Sequence, residues 1–314
     1  MTQDFCNTYS IIARDPVTGQ LGVAVQTHQV GVGRLVPWTL PGVGVVATQS
    51  MVNLSFGTLG LQMLRNGVPA PRVVDALIAS DDGRDRRQLA VIDMNGQVSA
   101  YTGSGCIREA GHFIGANYSV QANMMTRSTV IDAMRHAFER AKGDLAGRMM
   151  AALTAAQHHD GDIRGMQSAA LKVVSGRAGT PEWESIYDLR VDEHDQPLHE
   201  LGRLVQIRSA QLVDQEGHEL LEKGNMMAAL AKWKEARAAA PDQEELAFWQ
   251  AFALADARPD DNTISLAARI MAQALQDDER YEHWIELLKR LDECAFSRNT
   301  GIGERLVKAL QENP

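Results

Sequence analysis

The sequence predicts a protein of the α+β class whose chain continues into a small all-α module. Two runs rich in β-forming residues, 8–15 and 21–28, flank a short turn, which is typical of a β-hairpin. A second hairpin is expected around Asn95-Gly96, because this dipeptide favours the tight turn between two antiparallel strands. From about Asp214 glycine and β-branched residues give way to alanine, leucine and glutamate, which favour helices.

Length and composition limit the classes of function. The chain has 314 residues, and two domains are expected because single cores stop growing near ~250–300 residues. A formal net charge of −9 argues against general nucleic-acid binding, which requires a basic face. No run approaches the ~18 apolar residues of a membrane helix. Because the first residues also lack a basic region followed by an apolar stretch, we expect a cytoplasmic protein without membrane association.

The positions of cysteine, histidine and glycine predict neither a disulfide framework nor a bound metal or cofactor. Cys6, Cys106 and Cys294 are widely spaced and odd in number, without a Cys-x-x-Cys pattern. The run 158–160 offers two histidines and an aspartate, but adjacent histidines at a helix end point apart. The glycine-rich segment 30–34 lacks the residues that complete a phosphate-binding loop. We therefore expect no metal and no cofactor.

Apolar periodicity over the rest of the first two hundred residues predicts strands and helices. Residues 104–127, rich in glycine and asparagine, are expected instead to form a loop that lines a cavity, because buried amides need partners. Residues 187–208 are expected to form a short strand and a polar segment. Thr129 and Asp132 predict a capping box at a helix start. The other expected elements are a strand at 43–48, helices beginning near Gly57, Pro71 and residue 144, and a strand at 168–174.

The C-terminal part carries two similar alanine-spaced stretches, which begin at Met226 and Thr263 and follow Asn225 and Asn262. They resemble helix-turn-helix units of tetratricopeptide type, so residues 214–314 are expected to form a small helical-repeat module. Two units are fewer than the ~3 that such repeats usually need. We therefore expect the module to pack on the first domain or on another subunit, and we predict a homodimer or larger assembly that covers the module's apolar residues. These residues are Trp233, Leu246, Trp249 and Leu266.

Four stretches in fixed order carry a family resemblance. They are TYSIIARDPVTGQLGVAVQTH at 8–28, GVGVVATQ at 42–49, GDIRGMQSAAL at 161–171 and YDLRVDEH at 187–194. Together they resemble the domain-of-unknown-function family 1028, over roughly residues 6–208. The resemblance implies a four-layer αββα sandwich, similar to that of the N-terminal-nucleophile (Ntn) hydrolases. It does not imply a reaction, because fold alone does not fix function.

By this resemblance Thr8 matches the position of a nucleophile at the start of a strand. An Ntn-type site also needs a base, usually the nucleophile's own α-amine, and N–H donors that stabilise an oxyanion. An α-amine has a reference pKa of ~7.7–8.0, so an appreciable fraction is unprotonated near neutral pH. Ntn proteases of the proteasome type use a nearby lysine, where this chain offers only Arg34, whose guanidinium stays protonated. Seven residues precede Thr8, so its amine is blocked unless the Asn7–Thr8 bond is cut.

The resemblance also assigns roles to polar residues of distant segments. The end of the third strand, near Gln49 and Ser50, matches the segment that supplies the oxyanion N–H, and Asn53 is a candidate side-chain donor. Asn123 and Asp162 match the segments that orient the amine. The expected substrate-binding residues, all polar and placed near strand ends or in the amide-rich loop, are Gln26, His28, Gln49, Gln121 and Ser168.

Two functions remain open from the sequence. The first is an Ntn-type amidohydrolase that cleaves an amide or cyclic amide bond in a small polar molecule, with Thr8 as nucleophile. The second is a non-catalytic ligand-binding or scaffold protein that retains the fold and uses its helical repeats for partner contacts. Asp162 has a structural alternative of its own, namely an ion pair with Arg164 or a cap on its turn. The sequence does not separate an amide from an ester substrate.

Overall fold

The computed structural model describes residues 5–6, 8–275 and 279–312, and the protein has a mixed α+β architecture. These residues form two antiparallel sheets and ten α-helices. The chain divides into two compact units, residues 1–205 and 206–314. No helix in the described ranges combines the length and the apolar character needed to cross a bilayer.

Both sheets belong to the first unit. Sheet I has the strands β1 Phe5–Cys6, β4 Pro37–Leu40, β5 Gly44–Met51, β6 Arg87–Asp93 and β7 Val98–Thr102. Sheet II has the strands β2 Thr8–Arg14, β3 Leu21–Thr27, β8 Gly111–Gly115, β9 Tyr118–Ala122, β10 Ser168–Val174 and β11 Tyr187–Val191. In sheet I, β1 and β4 both pair with β5, followed by β6 and β7. In sheet II the order is β11-β10-β3-β2-β9-β8.

Alternation along the strands explains how the first unit is packed, because successive side chains on a strand point to opposite faces. One face of β2 and β3 meets sheet I through an apolar cluster that includes Ile12, Val23 and Val45. The other face of β3 lets a helix approach closely, since a Cβ on Gly22 would lie 2.6 Å from the Met149 methyl. Helices α1 Ser55–Arg65 and α2 Ala70–Ala79 contact sheet I, and α3 Val130–Arg140 and α4 Leu145–His158 contact sheet II.

The two hairpins expected from turn residues are present in sheet II and sheet I. In the first, Thr8 lies opposite Thr27 and Arg14 lies opposite Leu21. The Asp15 carboxylate closes its turn by accepting bonds from the next backbone N–H groups, at 2.8 and 2.9 Å. In the second, β6 and β7 pair around Asn95-Gly96.

The expectation of a loop over 104–127 is wrong for residues 111–122, where β8 and β9 form a hairpin. Asn117 makes the turn with a φ of 65°, a conformation that asparagine tolerates better than most residues. The polar residues that suggested a loop, Ser119, Gln121 and Asn123, alternate with buried apolar ones and are themselves fully buried. They form the inward face of a strand whose partners are amides of the facing sheet.

Three further local expectations differ from the structure. The polar segment after β11 is helical, because α5 spans Pro197–Glu222. Thr129 makes no side-chain cap bond to α3, and its Oγ1 lies 3.0 Å from Nδ1 of His159 instead. Strand β4 was not expected, since it begins at Pro37, a residue confined to strand starts and edges.

The second unit is helical in its described residues and has a core of its own. Its helices after α5 are α6 Met226–Ala239, α7 Glu244–Ala257, α8 Asp261–Leu275, α9 Tyr281–Glu293 and α10 Ile302–Glu312. Asn225 caps α6 by accepting a bond from Ala228 N at 3.3 Å. Helix α8, however, is capped by Asp260 rather than Asn262, since the Asp260 carboxylate accepts from Thr263 N at 3.0 Å. Residues 276–278, within the expected repeat, lie outside the described residues.

The apolar residues that suggested an oligomer are largely covered within this unit. Trp233 is fully buried and donates its indole N–H to the Asp214 carbonyl at 3.2 Å. Leu246 is only 9% exposed. Trp249 and Leu266 are half-buried and pack against the core that includes Trp233. The homo-oligomer therefore stays a prediction, which Trp233 and Leu246 do not support.

Candidate functional site

Thr8 lies where the chain passes from one sheet to the other. In sheet I, Cys6 of β1 pairs with Ser50, and β2 of sheet II begins two residues later at Thr8. Thr8 is fully buried. Its carbonyl accepts from Asn123 N at 3.1 Å and from Gln49 Nε2 at 3.3 Å. The start of β2 is therefore bonded both to its own sheet and to the facing one.

Four fully buried amide side chains lie together beside Thr8 and form what we call the amide cluster, Gln49, Gln88, Gln121 and Asn123. Gln49 Nε2 and Asn123 Nδ2 both donate to Gln88 Oε1, at 2.7 and 2.8 Å. Ser10 joins the other two glutamines, because its hydroxyl accepts from Gln121 Nε2 at 2.6 Å and donates to Gln49 Oε1 at 2.5 Å. Buried amides need such partners, so the cluster fixes their orientations.

One atom of this cluster has no partner. Asn123 Oδ1 is buried and accepts no hydrogen bond from any of the described residues, while the Nδ2 of the same side chain is 3.5 Å from the Thr8 carbonyl oxygen. Leaving a buried acceptor unsatisfied costs about 1–3 kcal/mol. An acceptor of this kind next to Thr8 is suited to a donor brought by a ligand.

Asp162 lies at the same end of sheet II, in the turn that precedes β10. Its side chain is fully buried and forms an ion pair with Arg164, with Nη2 and Nε at 2.8 and 3.1 Å from the two carboxylate oxygens. The carboxylate also accepts from the backbone N–H of Arg164 at 2.9 Å and of His28 at 3.3 Å. The ion pair that the sequence left as an alternative is therefore present within the 161–165 turn. The bond from His28 N to the same carboxylate joins this turn to the residue that follows β3.

Tyr9 connects this turn to helix α4 on the helix-facing side of sheet II. Its hydroxyl donates to Gln157 Oε1 at 3.0 Å. Burial, with the nearby charge of Asp162 as a second cause, raises the pKa of Tyr9 well above its usual value. Tyr9 therefore stays protonated and acts as a donor.

Ser50 is the most unusual backbone position of the site. It lies inside β5 with a φ of 67°, a left-handed conformation that is costly for serine and often found at functional sites.

Burial raises the pKa of the Cys106 thiol, although hydrogen bonds from Ser50 and Gly103 lower it in part. Cys106 also donates to the Arg87 carbonyl at 3.4 Å. A half-buried thiol whose pKa is raised is a poor nucleophile, because the thiolate is the reactive form.

Four of the expected residues lie apart from the amide cluster or have their polar atoms engaged elsewhere. Asn53 accepts from Ser55 N at 3.1 Å at the start of α1. Gln26 faces the helices, because it pairs with Tyr9 and alternates with Thr27, which pairs with Thr8. The exposed His28 ring has Nδ1 3.3 Å from the Met166 carbonyl oxygen. Ser168 pairs with Thr27 across the sheet, but its hydroxyl donates to the Gln29 carbonyl at 2.5 Å and accepts from Val32 N at 3.1 Å.

Gln88 is the residue that sequence reasoning missed. A signal was available, since Gln88 is the second residue of β6 and shares a face with Ala90 and Ile92, which point to the facing sheet. A glutamine at such a position has to find a buried partner. The sequence itself does not say that the partners are amides of residues 49 and 123.

The histidine-rich run after α4 has other contacts than a metal. Asp160 forms an ion pair with Arg127 at 2.6 Å, and His159 contacts Thr129. Across residues 5–6, 8–275 and 279–312, no group of three or more His, Cys, Asp or Glu side chains is arranged to hold a metal ion.

Comparison with known proteins identifies the family of the first unit. A family model described as a family of unknown function (DUF1028) matches residues 8–201. The crystal structure of a Silicibacter pomeroyi protein of that family is 33% identical, with a TM-score of 0.58 over 63% of this chain and 88% of that one. Anbu, the ancestral β-subunit from Yersinia bercovieri, is 13% identical, with a TM-score of 0.32 over 62% of this chain and 91% of that one, too low to establish a common fold. No curated protein matches the sequence. The chain belongs to the DUF1028 family.

Proposed function

We propose that the first unit is an Ntn-type hydrolase that cleaves the C–N bond of a small polar amide or cyclic amide. Its strands and helices then form the four-layer αββα sandwich of that class, and the second unit is a tetratricopeptide-like module. The observation that carries the proposal is the position of Thr8, fully buried at the start of β2 beside an unpaired acceptor of Asn123. A buried hydroxyl at a strand start, next to fixed polar groups, suits nucleophilic catalysis.

In the proposed reaction the Thr8 Oγ attacks the substrate carbonyl carbon. The hydroxyl proton passes to a base and then to the leaving nitrogen, so that the C–N bond breaks and an ester forms on Thr8. Water then hydrolyses this ester and restores the hydroxyl. The base that suits this scheme is the α-amine of Thr8, freed by cleavage of the bond to Asn7, a residue outside the described ranges.

The surrounding residues supply the other requirements of the reaction. The 49–50 segment is the proposed source of oxyanion donors, because Gln49 bonds to the Thr8 carbonyl and Ser50 bends the strand beside it. Asp162 is proposed to stabilise the protonated amine during turnover, with Arg164 holding its carboxylate in place. Polar side chains at this end of the sheets favour a small polar substrate.

A second candidate is the non-catalytic ligand-binding or scaffold protein. It is favoured by the bonds that Arg164 and His28 N already make to the Asp162 carboxylate. The same acceptor atoms would then have only a structural role.

A panel of small linear and cyclic amides separates the two candidates. We expect the wild-type protein to release ammonia, an amine or a ring-opened acid from at least one member, while Thr8→Ala purified in parallel serves as the blank. Intact-mass analysis of the active sample is expected to show a chain that begins at Thr8. No turnover above the blank by either cleaved or uncleaved protein would contradict the hydrolase and favour the scaffold protein. Turnover by a full-length chain would contradict only the free-amine base.

A further inference from the structure

Two backbone carbonyls determine the orientation of the Gln88 side chain. Its Nε2 lies 3.0 Å from the Gly111 carbonyl oxygen and 2.9 Å from that of Ala122, with the Thr102 hydroxyl also at 2.9 Å. A carbonyl oxygen only accepts hydrogen bonds. The nitrogen of Gln88 must therefore face these groups, and its Oε1 must face the opposite way, toward the side-chain nitrogens of Gln49 and Asn123.

The orientation of Gln88 in turn determines that of Asn123. Oε1 of Gln88 only accepts, so the group of Asn123 that lies 2.8 Å from it must be the donor, Nδ2. The carbonyl oxygen of Asn123 is thereby turned away from Gln88. This oxygen is the buried acceptor that has no partner. The backbone carbonyls of Gly111 and Ala122 therefore determine, through Gln88, that Asn123 places its oxygen and not its nitrogen at this position.

We propose that Gln88 is a positioning residue that holds Asn123 Oδ1 as an acceptor for the N–H of the substrate, so that the site selects amides and lactams over the corresponding esters. This inference rests on the proposed function and specifies its substrate class. A lactam brings the missing donor, whereas a lactone places an oxygen lone pair against Oδ1 and leaves that oxygen unpaired. A site that forms a hydrogen bond with an N–H of its substrate discriminates strongly against an analogue without that N–H. This discrimination is larger than a small difference in size between two ligands can produce.

The matched probes are 2-pyrrolidinone and γ-butyrolactone, which have the same ring size and differ by N–H against O. Binding is followed through the side-chain amide signals of protein labelled with ¹⁵N-asparagine, in which Asn123→Ala assigns the Asn123 signal. We expect the lactam to shift this signal saturably and to bind at least ~10-fold more tightly than the lactone, which corresponds to one missing hydrogen bond to a buried group. Binding of the two within a factor of ~2, or no saturable shift with the lactam, would overturn the selection.

Variants test the positioning role directly. Gln88→Met removes the acceptor that holds Asn123 Nδ2, so exchange of the Asn123 side-chain protons is expected to accelerate and the lactam preference to disappear. Asn123→Ala, which leaves Gln88 in place, is expected to lose the preference as well and serves if Gln88→Met does not fold. Ser119→Ala is the control, since Ser119 is fully buried on β9, the strand that leads to Asn123, and its hydroxyl donates to Gln121 Oε1 at 3.0 Å. Unchanged Asn123 exchange in folded Gln88→Met would overturn the positioning role.

The inference and the proposed function fail in different ways. A lactam preference without hydrolysis of any amide in the panel would remove the hydrolase and keep the donor-selective site. Hydrolysis of amides and esters at similar rates, without a lactam preference in binding, would keep the hydrolase and overturn the inference. In that case the freed amine of Thr8 is the donor that uses Asn123 Oδ1.

Discussion

Replacing Thr8 by alanine is expected to lower turnover of the amide substrate by at least ~10³-fold, as removal of a catalytic nucleophile does in other hydrolases. Without the hydroxyl the ester intermediate cannot form, and only binding and oxyanion stabilisation remain. Thr8→Ser keeps the hydroxyl and is expected to stay within ~10²-fold of the wild type. The measurement is kcat with the fastest substrate of the panel, corrected for the folded fraction.

Thr48→Ala is the matched control for this prediction. Thr48 is also a fully buried threonine on a central strand, and its hydroxyl donates to the Asn53 carbonyl at 3.4 Å. We expect this variant to change stability while turnover per folded molecule stays within a factor of ~3. If Thr8→Ala keeps turnover within ~10-fold of the wild type, another group is the nucleophile.

Replacing Asp162 by asparagine is expected to lower both stability and turnover. The change leaves the Arg164 guanidinium without its buried partner, which is expected to cost about 1–3 kcal/mol of unfolding free energy. If the carboxylate also stabilises the charged amine, turnover per folded molecule is expected to fall by at least ~10²-fold. Thermal melting and kcat, measured on the same preparation, separate the two effects.

Asp15→Asn is the control variant, because it removes an ion pair that lies away from Thr8. Asp15 pairs with Arg148 at 3.4 Å at the opposite end of β2. Desolvation raises the pKa of Asp15, but backbone bonds from Thr18 and Val17 and the charge of Arg148 together outweigh it and lower the pKa below its usual value. We expect this variant to melt earlier with unchanged turnover. An Asp162→Asn protein that behaves in the same way would show that Asp162 has a structural role only.

The hairpins around Asp15 and Asn95-Gly96 were predictable because their turn residues act locally. The β8–β9 hairpin was not, since Ser119, Gln121 and Asn123 look like solvent-facing or loop residues until the amides of the facing sheet are known. Helix α5 was missed for a related reason. Its sequence is rich in charged and polar residues, and its apolar residues form only a weak stripe.

The sequence predicted which polar residues lie at the ends of strands. It did not predict the sheet face to which each of them points or the distant residue that each contacts. Thr8, Gln49 and Asn123 do lie together. Gln26 does not join them, because Thr27 is the residue of β3 that pairs with Thr8. Sequence reasoning also could not choose between a catalytic and an ion-paired Asp162, since both depend on how the 161–165 turn folds.

Covalent labelling shows which side chain is the nucleophile. Wild-type protein is incubated with a reactive β-lactam that carries a ring N–H, quenched with acid, digested and mapped by peptide mass, with Thr8→Ala treated in parallel. We expect one adduct with the mass of the intact lactam, on the peptide that carries Thr8, and its loss in the variant. An adduct confined to another residue such as Cys106, or no adduct in a preparation that hydrolyses amides, would contradict Thr8 as the nucleophile.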